Sequence, residues 1–475
     1  MDINNNGLAA RVKTFLFDNI VMLVFLVFTV VGFSVSDMSA SGFTNEITTR
    51  FFRNGVLVLS LIIPVIAGLG LNFGIVLGAL AGMLSLLLVR YNFALFPGVG
   101  GLWVAFAVAT PLAILFGFLT GKLYNRTKGQ ELVAGLIVSF FAEGLYLFFV
   151  LFILGAIIPL QAGHGMVIPG ERAIGIRHTF ELGLPYEEFT ARTPAGTIPG
   201  QARALNNVWR VEFTYALAVI AAALLIMVIL RYIIRSRNPL MGKPVLWQFC
   251  VQLALCIALA VFAFVSAAQI YSWYNIHAEA MLTDPRIRLD QLEGIPPFVV
   301  EISRINRVPV IPALMILAVA LFTIYFSRTK LGQDCRSVGQ SQPIANVAGI
   351  YVDRTRIIAT IISTVLAAWG MIIFLQDIGT VSTYTQHRNI GFFSVAAILV
   401  GGATVSKATV PNAIIGLLLF HSMFVVSPAV AGIFSDHPAV GEYTRSFMTF
   451  AVIGVSLGLY VWKGNKAAKE KERLR

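Results

Sequence analysis

Mainly apolar runs separated by polar breaks set the rhythm of this chain. They cover Asn19–Val35, Gly55–Gly68, Leu71–Val89, Leu102–Gly121, Leu132–Leu160, Phe213–Tyr232, Leu246–Ile270, Ile311–Phe326 and Ile357–Phe374. A broken pair, Phe392–Leu399 and Ala413–Val426, and a last run, Phe447–Trp462, complete the series. A helix crosses the hydrocarbon core with about 20 mainly apolar residues. The pattern therefore predicts an all-α, polytopic transmembrane helical bundle of roughly ten to twelve spans, with broken helices where a run falls short of a full crossing.

The polar segments divide the chain further. Residues 1–18 read as a cytoplasmic N-terminal segment, 19–462 as the transmembrane domain and 463–475 as a basic tail. Two segments, 161–212 and 271–309, are too long for simple turns, and Pro194, Gly196, Pro199 and Gly200 in the first suggest a small ordered cap or mobile lobe. A third, Ser327–Arg356, is charged, helix-capable and held between two apolar runs. Such a segment suits a surface that takes mechanical force from a soluble partner.

Composition agrees with the membrane setting. Hydrophobic residues make up 57% of the 475 and charged residues only 12%, against about 25% charged in soluble domains. More than half of the 35 Lys and Arg fall in segments that alternate with the remaining ones along the series of spans. Positive charge is retained on the cytoplasmic side, which puts both termini and Ser327–Arg356 in the cytoplasm and the two long loops outside. The net charge of +12 is then a topology signal and does not indicate nucleic-acid binding. Arg11 and Lys13 before a long apolar run read as an uncleaved signal anchor.

Several chemistries find no support. Cys250, Cys256 and Cys335 have no CxxC spacing, and the six histidines form no ligand motif, so no metal site is expected. Gly117–Leu123 superficially resembles a phosphate loop, yet Phe116 stands where its first glycine belongs and Leu123 where Ser or Thr belongs. The chain is not expected to hydrolyse nucleotide, and no residue in it reads as catalytic.

The order Thr329, Gly332, Arg336, Gly339, Ala345, Ala348 and Gly349-Ile350 resembles the cytoplasmic coupling loop of type II ABC importer permeases, the family of ribose, branched-chain amino acid and nucleoside permeases. Ser337, Ser341 and Asp334 depart from its usual pattern. Gly68–Gly74 resembles that family's glycine-rich early span, and Ala396–Gly402 its A-x-x-x-G-G stretch, with Lys407 and Pro411 at glycine-like positions. The resemblance implies the type II permease fold, and it implies partners: two ATP-binding-cassette ATPase subunits, a second permease copy or homologous permease, and an extracytoplasmic substrate-binding protein. ATP would be bound by those subunits, leaving this chain without a cofactor. Thr329, Gly332, Arg336, Gly339, Ala345 and Gly349 are then the ATPase-coupling residues. Arg172, Arg177, Glu187, Glu188, Arg286 and Arg288 are candidates for contact with the binding protein.

Residue chemistry adds a solute path. Gly68 and Gly70 break a helix at membrane depth beside Asn72 and Phe73, a recurring way to build a transport site. Glu143 is an acid well inside a span, costly there and a functional candidate. Gln376, beside Asp377, ends a span near its outer mouth, where it either touches solute or caps the helix. Gly74, Gly78 and Gly82 repeat every four residues and predict a flat face for helix packing. The implied function is import of a small polar solute by alternating access, a sugar or nucleoside before an amino acid. The rival readings are an ion-coupled secondary transporter using Glu143 and a membrane-embedded enzyme.

Overall fold

The computed structural model describes residues 20–92, 98–150, 153, 177–183, 200–237, 246–277, 294–433 and 437–473. In hydrocarbon the backbone must satisfy its own hydrogen bonds, which makes each apolar run a helix. In chain order the helices begin with α1 (Ile20–Val35), α2 (Ala40–Ser60), α3 (Ile62–Ile66), α4 (Ile75–Asn92), α5 (Gly98–Arg126) and α6 (Glu131–Leu147). Strand β1 (Thr179–Glu181), helix α7 (Ala204–Val208) and strand β2 (Arg210–Val211) precede the long helices α8 (Phe213–Arg237) and α9 (Leu246–Ile276). Then come α10 (Pro297–Ser303), β3 (Val308–Pro309), α11 (Val310–Phe326), α12 (Lys330–Gln340), α13 (Gln342–Val347) and α14 (Val352–Ile378). The described chain finishes with β4 (Thr380–Ser382), α15 (Gln386–Val400), α16 (Val410–Gly432) and α17 (Pro438–Arg473).

Among the described residues, seven helical segments are long and apolar enough to cross a membrane: Ala40–Ile66, Gly98–Arg126, Glu131–Val150, Phe213–Arg237, Phe249–Ile276, Val352–Ile378 and Val410–Gly432. Counting the bent pair α11 and α12 as one span makes eight, and Ile20–Val35 and Ile75–Tyr91 are shorter apolar helices. The molecule is thus a multi-pass, all-α membrane protein. The last run, expected at Phe447–Trp462, lies within a helix from Pro438 to Arg473, and an earlier run differs at its start. The run expected at Gly55–Gly68 belongs to a span that begins at Ala40, because the polar stretch Ser41–Asn54 is helical too. Its polar groups are accommodated by partners such as Arg53 with Asp377 and Asn54 Nδ2 with the Arg50 carbonyl.

The chain forms two compact units. The larger comprises residues 1–37, 49–208 and 311–475. At its centre α14 packs against α4 and α5, α15 against α4 and α16, and α16 against α1 and α17. The close approach of α4 to α14 rests on glycine: a Cβ at Gly78 would stand 2.5 Å from the Thr364 carbonyl oxygen, and one at Gly82 2.3 Å from that of Ala368. Gly117 and Gly121 do the same for α5, facing the backbones of Ile361 and Ile357. The small unit, residues 38–48 and 209–310, holds the α8–α9 hairpin, whose outer surface carries exposed apolar side chains such as Val219, Met227 and Phe264. Hydrocarbon is the natural cover for such a surface.

Two short strand pairings involve the long polar segments. Strands β1 and β4 pair antiparallel with Phe180 opposite Val381, and β2 pairs with β3. In the small unit Ser41 donates its backbone N–H to Glu301 at 3.0 Å, and Ser41 hydrogen bonding holds the Glu301 carboxyl below the usual carboxylate range. Arg172, Glu187, Glu188, Arg286 and Arg288 lie outside the described residues, as do Pro194, Gly196 and Pro199 and residues 1–18.

Candidate functional site

The segment between α11 and α14 is built as two short helices. Thr329 caps α12: its Oγ1 accepts from the Gly332 N–H at 3.2 Å and donates to the Phe326 carbonyl at 2.7 Å. Alpha-12 is bent 73° from α11 and turns Gly332, Cys335 and Val338 inward while Gln333, Arg336 and Gln340 are exposed. Ser341, in extended conformation, ends α12 and caps α13 by accepting from Ile344 N. The end of α13 is a glycine turn, with Gly349 at φ +80°, its N–H bonded to the Asn346 carbonyl and the Ile350 N–H to the Ala345 carbonyl. This closing pattern satisfies the last carbonyls of a helix and favours glycine at the left-handed position. Buried Val338, Ala345 and Val352 tie α12, α13 and α14 into one small core.

What this core leaves outside is apolar. Ile344 is 71% exposed, Val347 90% and Tyr351 79%, a set of large side chains standing out of a polar segment. Beside them lies a cavity of about 1060 Å³ lined in part by Lys128, Gln340, Gln342, Pro343, Asp353 and Arg354. Beneath them, Gly339 meets the broken span: a Cβ on it would lie 2.2 Å from the Ile66 carbonyl oxygen, and one on Gly68 2.7 Å from the Gly339 Cα. Thus, of the coupling residues expected from sequence, Gly332, Gly339 and Ala345 face inward, Thr329 and Gly349 shape the ends, and Arg336 is exposed.

The span does break where its glycines suggested. Gly68 and Gly70 have φ of +72° and +69°, and the chain is non-helical between α3 and α4. Asn72 is buried in a closed network: Nδ2 donates to Ser363 Oγ at 3.2 Å, while Oδ1 accepts from Gly74 N at 2.9 Å and from Tyr124 OH at 2.8 Å. Phe73 is buried next to it, and its carbonyl accepts from Ser139 Oγ at 2.8 Å. One turn further along α6 is Glu143, whose Oε2 accepts from Arg388 Nη1 at 2.9 Å. Phe73 and Glu143 are therefore both placed along α6, while the neighbouring Asn72 is bonded to α5 and α14. Gln376 is not among them. Its Nε2 donates to Asn206 Oδ1 at 2.8 Å, in a network where Asp377 pairs with Arg53 and accepts from Asn206.

Sequence reasoning missed three partners. Arg388 pairs with Glu143, although it stands in a polar stretch before the run Phe392–Leu399 and carried no signal of that partner. His387, fully buried beside it, carried no pattern. Arg356, the last residue of the charged segment Ser327–Arg356, is fully buried, paired with Glu131 at 2.5 Å and bonded to the Tyr124 carbonyl at 3.1 Å. Lys128 pairs with Asp353 nearby, so the α5–α6 turn is fastened to the base of α14.

Known proteins resemble this chain over parts of its length. Residues 201–456 match the family described as branched-chain amino acid transport system / permease component. The nucleoside ABC transporter permease protein NupB of Lactococcus lactis is 28% identical over 116 residues, 24% of this chain and 29% of that protein. The autoinducer 2 import system permease protein LsrC of an Enterobacter strain is 30% identical over 122 residues, 25% of this chain and 35% of its own. The Lactococcus lactis nucleoside permease protein NupC is 28% identical over 149 residues, 31% and 46% of the respective chains. Each match spans less than half of the relative's own length. No solved structure matches.

Proposed function

The chain belongs to the branched-chain amino acid transport system permease family of type II ABC importers, and from that premise we propose that it is the membrane-spanning subunit of an ATP-driven importer. The observation that carries this reading is the triplet of exposed apolar side chains, Ile344, Val347 and Tyr351, at the tip of the α12–α13 segment. Aromatic and aliphatic anchors of this kind form the centre of protein interfaces. The partner is an ATP-binding-cassette ATPase subunit on the cytoplasmic side, where ATP is bound and hydrolysed. Two such subunits serve a pair of permeases, either two copies of this chain or this chain and a homologue.

Movement of the ATPases would be received at α13, transmitted through the shared core of Val338, Ala345 and Val352, and applied by Gly339 to the break at Ile66–Gly74. A break of this type lets α3 and α4 shift as separate rods, which suits alternation between outward and inward access. In energetic terms the ATPase biases the equilibrium by binding one state more tightly. A substrate-binding protein delivers a small polar solute from outside, a sugar or nucleoside before an amino acid; nucleoside and autoinducer 2 permeases among the relatives support that order.

The test is co-expression with ATP-binding-cassette ATPase subunits and purification under gentle detergent. Co-elution and ATP-dependent uptake in vesicles are expected. Uptake by this chain alone, indifferent to ATP and abolished by Glu143→Gln, would overturn the reading in favour of ion coupling.

A further inference from the structure

One face of α6 carries Gly135, Ser139, Glu143 and Tyr146, all buried. Against it stands the first turn of α15, with His387 and Arg388. Glu143 and Arg388 neutralise each other at 2.9 Å, and Ser139 donates to the carbonyls of Phe73 and Gly135. Three polar atoms between these groups are left over. Among the described residues, the Tyr146 hydroxyl and both ring nitrogens of His387 are buried with no hydrogen-bond partner, although the two rings touch edge to face with centroids 5.5 Å apart. Tyr146 is only 5% exposed and His387 fully buried.

More than about nine in ten buried polar groups in folded proteins have a partner, so three orphaned atoms on two touching side chains call for an explanation. The Arg388 side chain beside them is 30% exposed. On one flank the Phe392 ring meets those of Phe73 and Phe140, at 5.3 and 6.5 Å between centroids. Unspent hydrogen-bonding capacity beside an apolar ring cluster is the make-up of a small-molecule site.

We propose that Tyr146 and His387, between α6 and α15, form a solute-binding subsite for an uncharged, hydroxyl-bearing ring. A neutral imidazole offers one donor and one acceptor, and a phenol offers both. Neighbouring hydroxyl groups, which also donate and accept, complement this set. Glu143 and Arg388 are engaged with each other, so neither is free to hold the carboxylate or the ammonium of a zwitterionic amino acid. The phenylalanine rings receive the apolar face of the ring. Free sugars and the ribose of nucleosides share this chemistry.

The subsite rests on the importer reading and fails separately from it. Full-length protein in lipid nanodiscs is titrated with radiolabelled ribose and uridine, with leucine as competitor. Saturable binding of either ring compound, untouched by leucine, is expected, and which of the two binds distinguishes a free sugar from a nucleoside. Tyr146→Phe removes only the unpartnered oxygen, so thermal stability should hold or rise while binding weakens about three- to tenfold. His387→Leu should weaken it about tenfold or more, since two polar contacts go. Binding indifferent to Tyr146→Phe, displacement by leucine, or no saturable binding overturns the subsite while ATPase co-elution keeps the importer reading. Absence of any ATPase overturns the importer reading whatever the titration gives.

Discussion

Arg356 shows how much a single buried charge decides here. Its guanidinium lies in the interior against Glu131, and removing one partner of such a pair leaves the other charge stranded at a cost of about 3–5 kcal/mol. Arg356→Met should therefore destabilise the protein strongly in thermal unfolding, and the double change Arg356→Met with Glu131→Gln should recover much of the loss. Cys335 makes a second residue-scale prediction. Burial, with Asp334 adding to it, pushes its thiol up to about 12. The sign is that of a group kept neutral: below that pH the thiol, not the reactive thiolate, prevails. Cys335 should stay protected from maleimide at pH 7 to 8 until the protein is denatured. The sequence disclosed the cost of Glu143 but not its partner, because pairing between residues 245 positions apart leaves no local periodicity. Asn72 was legible as special, since the glycines around it announced the break, whereas its bonds to Ser363 and Tyr124 were not.

At the scale of elements, glycine contacts make sharper claims than apolar faces. Gly82 and Gly100 are both helical, yet a Cβ at Gly82 meets the Ala368 carbonyl while one at Gly100 meets nothing within 4 Å. Gly82→Val should cost about 1–3 kcal/mol through overpacking, and Gly100→Val should be close to neutral, as thermal unfolding of the two variants will measure. The four-residue spacing of Gly74, Gly78 and Gly82 announced a packing face; α14 fills it at Gly78 and Gly82, whereas Gly74 precedes α4 and meets Asn72, Thr120 and Tyr124 instead. Two polar helices, α12 and α13, were foreseeable as one helix-capable segment. Their division followed from Ser341 and Pro343, and their orientation from which residues could pass beneath Ile66. The helical start of α2 was hidden because its residues are polar and their partners lie far along the chain.

For the molecule as a whole, the run of apolar segments led directly to a multi-pass helical protein, and the coupling-loop spacing led to its family. The sequence did not disclose which surface of that loop is free. Its signature residues Gly332, Gly339 and Ala345 are turned inward, and the side chains displayed are Ile344, Val347 and Tyr351. The importer account stands on that display. Association of an ATP-binding-cassette ATPase subunit with the full-length permease in nanodiscs, measured for the wild type and for Val347→Asp, tests it most directly. The account predicts that a charge at this 90% exposed position leaves thermal stability unchanged and weakens ATPase binding about a hundredfold, the loss expected for an interface anchor. Binding of Val347→Asp at wild-type strength would contradict it.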